Sequence, residues 1–302
     1  MSRAARLIHS LNLLSALWML ASTLLFTAMG GLVKFLGGHY ESFQIAFFRS
    51  GFGLLTMLPF VLAGGWGVLR TQRLWLHLAR GICGATAQMC NFFALTKLHL
   101  ADAVAISYAR TLFLIPLAVL FLGEAVRARR WSATLLGFAG VLIMLRPAGE
   151  IAPATLVAVT GALIAAGTGI MLKQLAASER PATVMLYFGL VSTSATALPA
   201  LLVWRAVDLA DLALLLLMGG CGSGGQYCMV RAFRVGEATA VLPVDYLRLI
   251  LASAVGYFVF AEVPDRWTAL GAAIVVGATL YIALREARLG RAGSLSGPAR
   301  EL

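Results

Sequence analysis

Eight side chains have types and spacings that would serve chemistry inside an otherwise apolar chain: Gln88, Asn91, Tyr108, Arg110, Gln226, Asp245, Tyr246 and Arg248. Asp245 and Arg248 stand three residues apart, one helical turn, so their opposite charges share a helix face. An arginine at mid-helix costs about 2.5–3.5 kcal/mol on membrane-insertion scales, so Arg110 and Arg248 are expected to face a cavity or a partner. Two readings stay open. The pair either eases insertion of its own helix, or it walls a polar cavity in which the arginines anchor a ligand carboxylate or phosphate. Asp245 is the mid-helix carboxylate, and hence the expected carrier of any coupled proton. Tyr108 and Tyr246 offer flat area and a hydroxyl. Gln88 and Asn91 follow Gly84 at spacings of four and three, one stripe that would bond a ligand or a neighbouring helix. Arg49, after Phe47 and Phe48, would face the cavity mouth or snorkel outward, and snorkelling is the expectation.

These residues recur. Adding 138 to a residue number takes Gly81 to Gly219, Cys83 to Cys221, Gly84 to Gly222 and Gln88 to Gln226. The same offset takes Cys90 to Cys228, Tyr108 to Tyr246, Arg110 to Arg248 and Glu124 to Glu262. At an offset of 139, Gly30 and Lys34 return as Gly169 and Lys173. Identities this numerous at one register indicate an internal duplication, which determines the whole architecture. The copies differ where Ser107 stands for Asp245 and Ala105 for Pro243, so the cavity between them is expected to be asymmetric in charge.

The elements that position these residues follow from composition. The chain is 60% hydrophobic and 12% charged, with a mean hydropathy of +0.88. A soluble chain carries roughly twice that charged fraction. Ten apolar segments, about 14–36, 42–63, 74–96, 101–122, 131–146, 153–175, 182–203, 210–233, 238–260 and 267–284, have lengths suited to crossing a bilayer. The expected class is therefore an all-α polytopic membrane protein. Its repeats are expected at 14–146 and 153–285, with 286–302 a disordered cytoplasmic tail. The net charge of +11 fits connector charge better than nucleic acid.

With the N-terminus placed in the cytoplasm, 16 Lys and Arg fall on the cytoplasmic side and 5 on the other, so both termini are expected inside. Five helices per repeat is an odd number, so the second repeat must be inverted relative to the first. Inverted repeats are a recurrent plan of secondary transporters, with substrate bound at the repeat interface. The two Cys-x6-Cys pairs each span two helical turns, about 10 Å, too far for a disulfide within a pair. They are read as small packing residues. No phosphate loop, HExxH or GxSxG occurs, so neither a catalytic set nor a metal or cofactor is expected.

The stretches ARGICGATAQMCNFFAL, LADAVAISYARTLFLIPLAVLFLGE, GFAGVLIMLRP and LPVDYLRLILASAVGYFVFAEVPD resemble the drug/metabolite transporter superfamily, EamA type, across residues 14–285. That resemblance implies a basket of helices 1–4 and 6–9 around a central cavity, with helices 5 and 10 peripheral. Similar proteins move amino acids, riboflavin, S-adenosylmethionine or purines, mostly outward and some inward. The usual family prolines are absent at Thr111 and Leu249. The resulting expectation is export of a small polar or amphipathic metabolite, an amino acid or related compound, across a bacterial inner membrane by alternating access. The partners are then the substrate, the lipid bilayer and, where transport is proton-coupled, protons, with the chain a monomer or homodimer. The alternatives are an importer of a vitamin or nucleobase-type metabolite, or a membrane-embedded enzyme on lipid-linked substrates.

Overall fold

Hydrocarbon offers no water to backbone N–H and C=O groups, so an apolar segment crossing it must satisfy them internally, as a helix does. The computed structural model describes residues 3–64, 69–122, 128–145, 152–176, 178–235, 244–245, 247–263, 266–267, 269–278 and 280–281. Secondary structure there is helical throughout. The helices are α1 (Arg3–Leu36), α2 (Ser42–Gly64), α3 (Leu74–Lys97), α4 (Leu100–Leu122) and α5 (Ala128–Leu145). They continue with α6 (Pro153–Ala176), α7 (Pro181–Leu202), α8 (Leu209–Val235), α9 (Leu247–Phe260) and α10 (Ala269–Ala278). Five spans are long and apolar enough to cross a membrane by length and composition: Leu13–Leu36, Leu100–Phe121, Pro153–Leu172, Thr183–Leu202 and Leu209–Ala232. Large apolar side chains face outward, Leu202 at 80% and Phe258 at 82% exposure among them. Such a surface belongs in lipid.

The packing carries the duplication into space. α1 packs on α8, and their counterparts five helices away, α6 and α3, pack on each other. Contact between α2 and α8 is mirrored by α7 and α3, contact between α1 and α9 by α6 and α4, and α2 and α7 meet as mates. An interface set that maps onto itself when the halves are exchanged is that of two copies related by a two-fold axis. α5 touches α4 and, through Gly140, lies against Gly271 and Ile274 of α10, so both stand at the periphery. Alanines dominate the crossings, with Ala85, Ala94, Ala105, Ala109, Ala166 and Ala252 fully buried. Small residues let helix backbones approach where no hydrophobic force drives association.

Two polar belts hold the ends of the bundle. At one end, the Lys34 ammonium pairs with Glu262 and donates to the Leu98 carbonyl, while the Leu100 N–H donates to Glu262. Tyr40 donates to Asp211 at 2.7 Å, which raises the Tyr40 pKa. Gln44 exchanges hydrogen bonds with the Arg205 backbone at this same end. At the opposite end Glu179 accepts from Thr71 at 2.7 Å and from the Gln72 N–H, and Tyr187 donates to the Leu69 carbonyl. The end with Lys34 therefore joins α1, α4 and α9, whereas the end with Glu179 joins the α2–α3 connector to the α6–α7 connector.

Candidate functional site

The candidate site lies between these belts, at the depth where the middle of α4 meets the start of α9. Arg110 projects from the middle of α4. Protein atoms crowd around it, yet its side chain is exposed. Asp245 and Arg248 are close enough for their charges to act on Arg110 and on each other. Among the described residues, however, these three close no direct ion pair. The Arg248 guanidinium lies over the Phe26 ring of α1 at 5.2 Å, and its Nε has no hydrogen-bond partner among the described residues. The Tyr108 hydroxyl donates to the Asp245 backbone carbonyl at 2.8 Å. That bond crosses from α4 to the segment leading into α9, and it holds the two charged stretches together.

The other expected site residues separate into two kinds. Gln88 donates through Nε2 to the Ala46 carbonyl and to Ser50 Oγ, each at 3.0 Å, so its amide ties α3 to α2. The bond to a neighbouring helix, one of the two roles open for it in the sequence, is formed. Asn91 is half-buried, and its backbone passes Gly161 of α6. Its side chain makes no hydrogen bond among the described residues. Gln226 is exposed one turn beyond Gly222, on the α8 face that meets α2. Tyr246, Pro243 and Glu124 lie outside the described residues, as does the side chain of Lys173.

Arg49 differs from the sequence expectation. It does not snorkel outward. A Cβ placed on Gly222 would come within 2.7 Å of Arg49 Cζ, and one on Gly53 within 2.7 Å of Nη1. The guanidinium thus fills a slot floored by two glycines, enclosed by protein but still partly accessible. The available signal was Gly53 one turn after Arg49, together with a helix 8 rich in glycine. Neither indicates by itself that the two helices touch.

The cysteines are free, with Cys221 and Cys228 buried. Cys90 packs its Cβ against Gly161, so small size is what this position uses. Among the described residues no His, Cys, Asp or Glu cluster is arranged to hold a metal.

Comparison with known proteins adds three findings. The EamA-like transporter family matches twice, over residues 13–146 and again over 152–284. An S-adenosylmethionine uptake transporter of Rickettsia bellii is 34% identical over 271 residues, covering 89% of this chain and 93% of that protein. A riboflavin transporter of Rhizobium johnstonii is 33% identical, covering 90% and 92%. A pseudopaline exporter of Pseudomonas aeruginosa is 31% identical, covering 85% and 91%. One crystal structure of a protein matches with a TM-score of 0.62 at 22% identity, over 91% of this chain and 98% of that one, a likeness of fold.

Proposed function

The chain belongs to the EamA-like transporter family, and from that premise we propose that it carries a metabolite bearing a carboxylate or phosphate by alternating access. Membership makes it a multi-pass membrane transporter of small molecules, not an enzyme. The finer reading rests on one observation. Arg110 stands exposed inside the bundle, within electrostatic reach of Arg248 and Asp245. Two guanidinium groups against one carboxylate leave the cavity net cationic, suited to an amino acid or related solute held by its anionic end. Asp245 then serves as the proton carrier, since a carboxylate between two cations changes the cavity charge when it binds or releases a proton. The cytoplasmic membrane with both termini inside remains the topology this reading uses.

Relatives named for uptake and for export both exceed 30% identity, so the driving gradient, rather than the scaffold, is taken to set direction. Counterflow in proteoliposomes, scanned with a panel of labelled amino acids and carboxylates, tests the proposal. Arg110→Ala should raise the half-saturating concentration roughly ten- to hundredfold, the equivalent of one lost charge-assisted hydrogen bond. Unchanged affinity in folded Arg110→Ala would remove α4 from the site.

A further inference from the structure

The two halves of this protein supply their own control experiment at Arg49. In the first half, Gly84 of α3 receives the ring of Phe188 from α7. The repeat takes Gly84 to Gly222 at an offset of 138, and the early helices repeat at 139, which takes residue 49 to residue 188. The contact of Arg49 with Gly222 is therefore the counterpart of the contact of Phe188 with Gly84. The same crossing is filled by an apolar ring in one half and by a guanidinium in the other. An apolar side chain evidently suffices to pack this crossing, and it spares the cost of burying a charge. Among the described residues Arg49 closes neither an ion pair nor a hydrogen bond. Packing and internal pairing thus leave the charge unexplained.

Depth points to its use. Measured from the end of the bundle that holds Lys34, Arg49 lies about 10 Å along α2 at 1.5 Å per residue. Its head reaches Gly222, which lies about 20 Å along α8. By the same measure Arg110 lies about 15 Å along α4, and Arg248 about 18 Å from the end of α9. On α8 the next turn after Gly222 carries Gly225, which lies against Phe26, the ring beneath Arg248. One helical turn of α8 thus connects the Arg49 slot to the Arg248 shelf.

We propose that Arg49 is a third anchor of the transport site, and that the solute carries two anionic groups, as a dicarboxylate or a phosphorylated carboxylate does. One group sits between Arg110 and Arg248, the other against Arg49. This rests on the reading that Arg110 and Arg248 line the site. It also separates this chain from carriers of net cationic solutes, because such a site would hold three guanidinium groups and one carboxylate, Asp245.

The test uses the purified full-length chain in detergent, followed by thermal unfolding at matched ionic strength with citrate, succinate, inorganic phosphate and acetate. Succinate and citrate, which carry separated carboxylates, should raise the unfolding midpoint at concentrations roughly ten- to hundredfold below those that acetate or the single-group phosphate needs. Arg49→Phe, which installs the side-chain type found at the mirrored position, should fold at least as well and lose that advantage. Gly222→Ala, which displaces the guanidinium without removing its charge, should lose most of it. A polyanion advantage that persists in folded Arg49→Phe but disappears in Arg110→Ala overturns the third anchor and leaves the arginine pair of α4 and α9 in place. Persistence in both variants overturns both readings. A wild-type chain that distinguishes neither succinate nor citrate from acetate also overturns the third anchor.

Discussion

At the residue scale the proposed site depends on charges within reach of one another but without direct pairing. The Asp245 carboxylate is within reach of the fields of both Arg110 and Arg248. Asp245→Asn keeps the shape and removes the titrating group. It is expected to abolish proton-driven accumulation in proteoliposomes while sparing counterflow exchange, which needs no net proton release. Loss of both activities in folded protein would make Asp245 a binding residue instead. Tyr108 acts on the same carboxylate indirectly, through the hydrogen bond to the Asp245 backbone carbonyl. Tyr108→Phe leaves that carbonyl short of a donor, at a cost of about 1–3 kcal/mol. The expected result is a lower unfolding midpoint and a counterflow affinity reduced severalfold. An unchanged affinity would mean that α9 keeps its position without this bond.

At the element scale, helices are fastened where their ends converge. Lys34 lies in the last turn of α1, where a cation is favoured by the helix dipole, and it pairs with Glu262 just past the end of α9. The chain reverses there through Ala261 at φ 54°, in the left-handed region, and the Glu262 N–H closes onto the Gly256 carbonyl. With its partners at 13% and 11% exposure, the pair is well shielded from solvent. Glu262→Gln removes the charge opposite Lys34 and weakens the acceptor for the Leu100 N–H. It is expected to cost about 2–3 kcal/mol, somewhat less than a fully buried pair, as read by thermal unfolding. At the opposite end, the bond from Thr71, helped by that from Gln72, holds the Glu179 carboxyl below its ordinary 4.5. A depressed carboxylate contributes stability above its unfolded pKa and loses it as pH falls through the folded value. The tie between the α2–α3 and α6–α7 connectors is therefore intact at pH 7, starts to lose its contribution as pH falls below about 4.5, and is released as pH passes through the lower folded value. Hydrogen exchange of the segment around Thr71, followed from pH 7 into the acid range, should show protection falling only after the pH has passed below the ordinary carboxylate value in wild type. Thr71→Val should abolish that pH dependence.

At the scale of the whole molecule, five helices per repeat is an odd number, so the second half is expected to enter the membrane upside down relative to the first. The topology read from connector charge is expected to place a reporter fused after Leu302 in the cytoplasm. A reporter in the connector that carries Arg266 should fall on the opposite side. Periplasmic activity of the C-terminal reporter would overturn the orientation. The two-fold exchange of interfaces accounts for an asymmetric site within a symmetric scaffold. Arg110 and Arg248 are mates, Asp245 has Ser107 for its counterpart, and Arg49 has Phe188. The scaffold is duplicated, but the chemistry within it differs between the halves.

Periodicity, length and the repeated register were properties of the chain alone, and they gave many helix bounds to within a few residues, although α1 starts at Arg3 and not near 14. α2, for example, was read as 42–63 and is Ser42–Gly64. They also brought Arg110 and Arg248 forward, because a charge inside an apolar run is visible without any neighbours. Contacts between helices were decided only in three dimensions. Gln88 could have served a ligand or a neighbour, and it bonds α2 because packing placed the Ala46 carbonyl and Ser50 beside it. Arg49 read as a snorkelling residue because a sequence records its distance from a helix end and not the glycine that another helix brings to meet it. Local spacing specifies which face a side chain occupies, whereas the partner across that face comes from a segment up to two hundred residues away, as with Ser22 and the Gly225 carbonyl at a separation of 203. That partner is set by how whole helices pack.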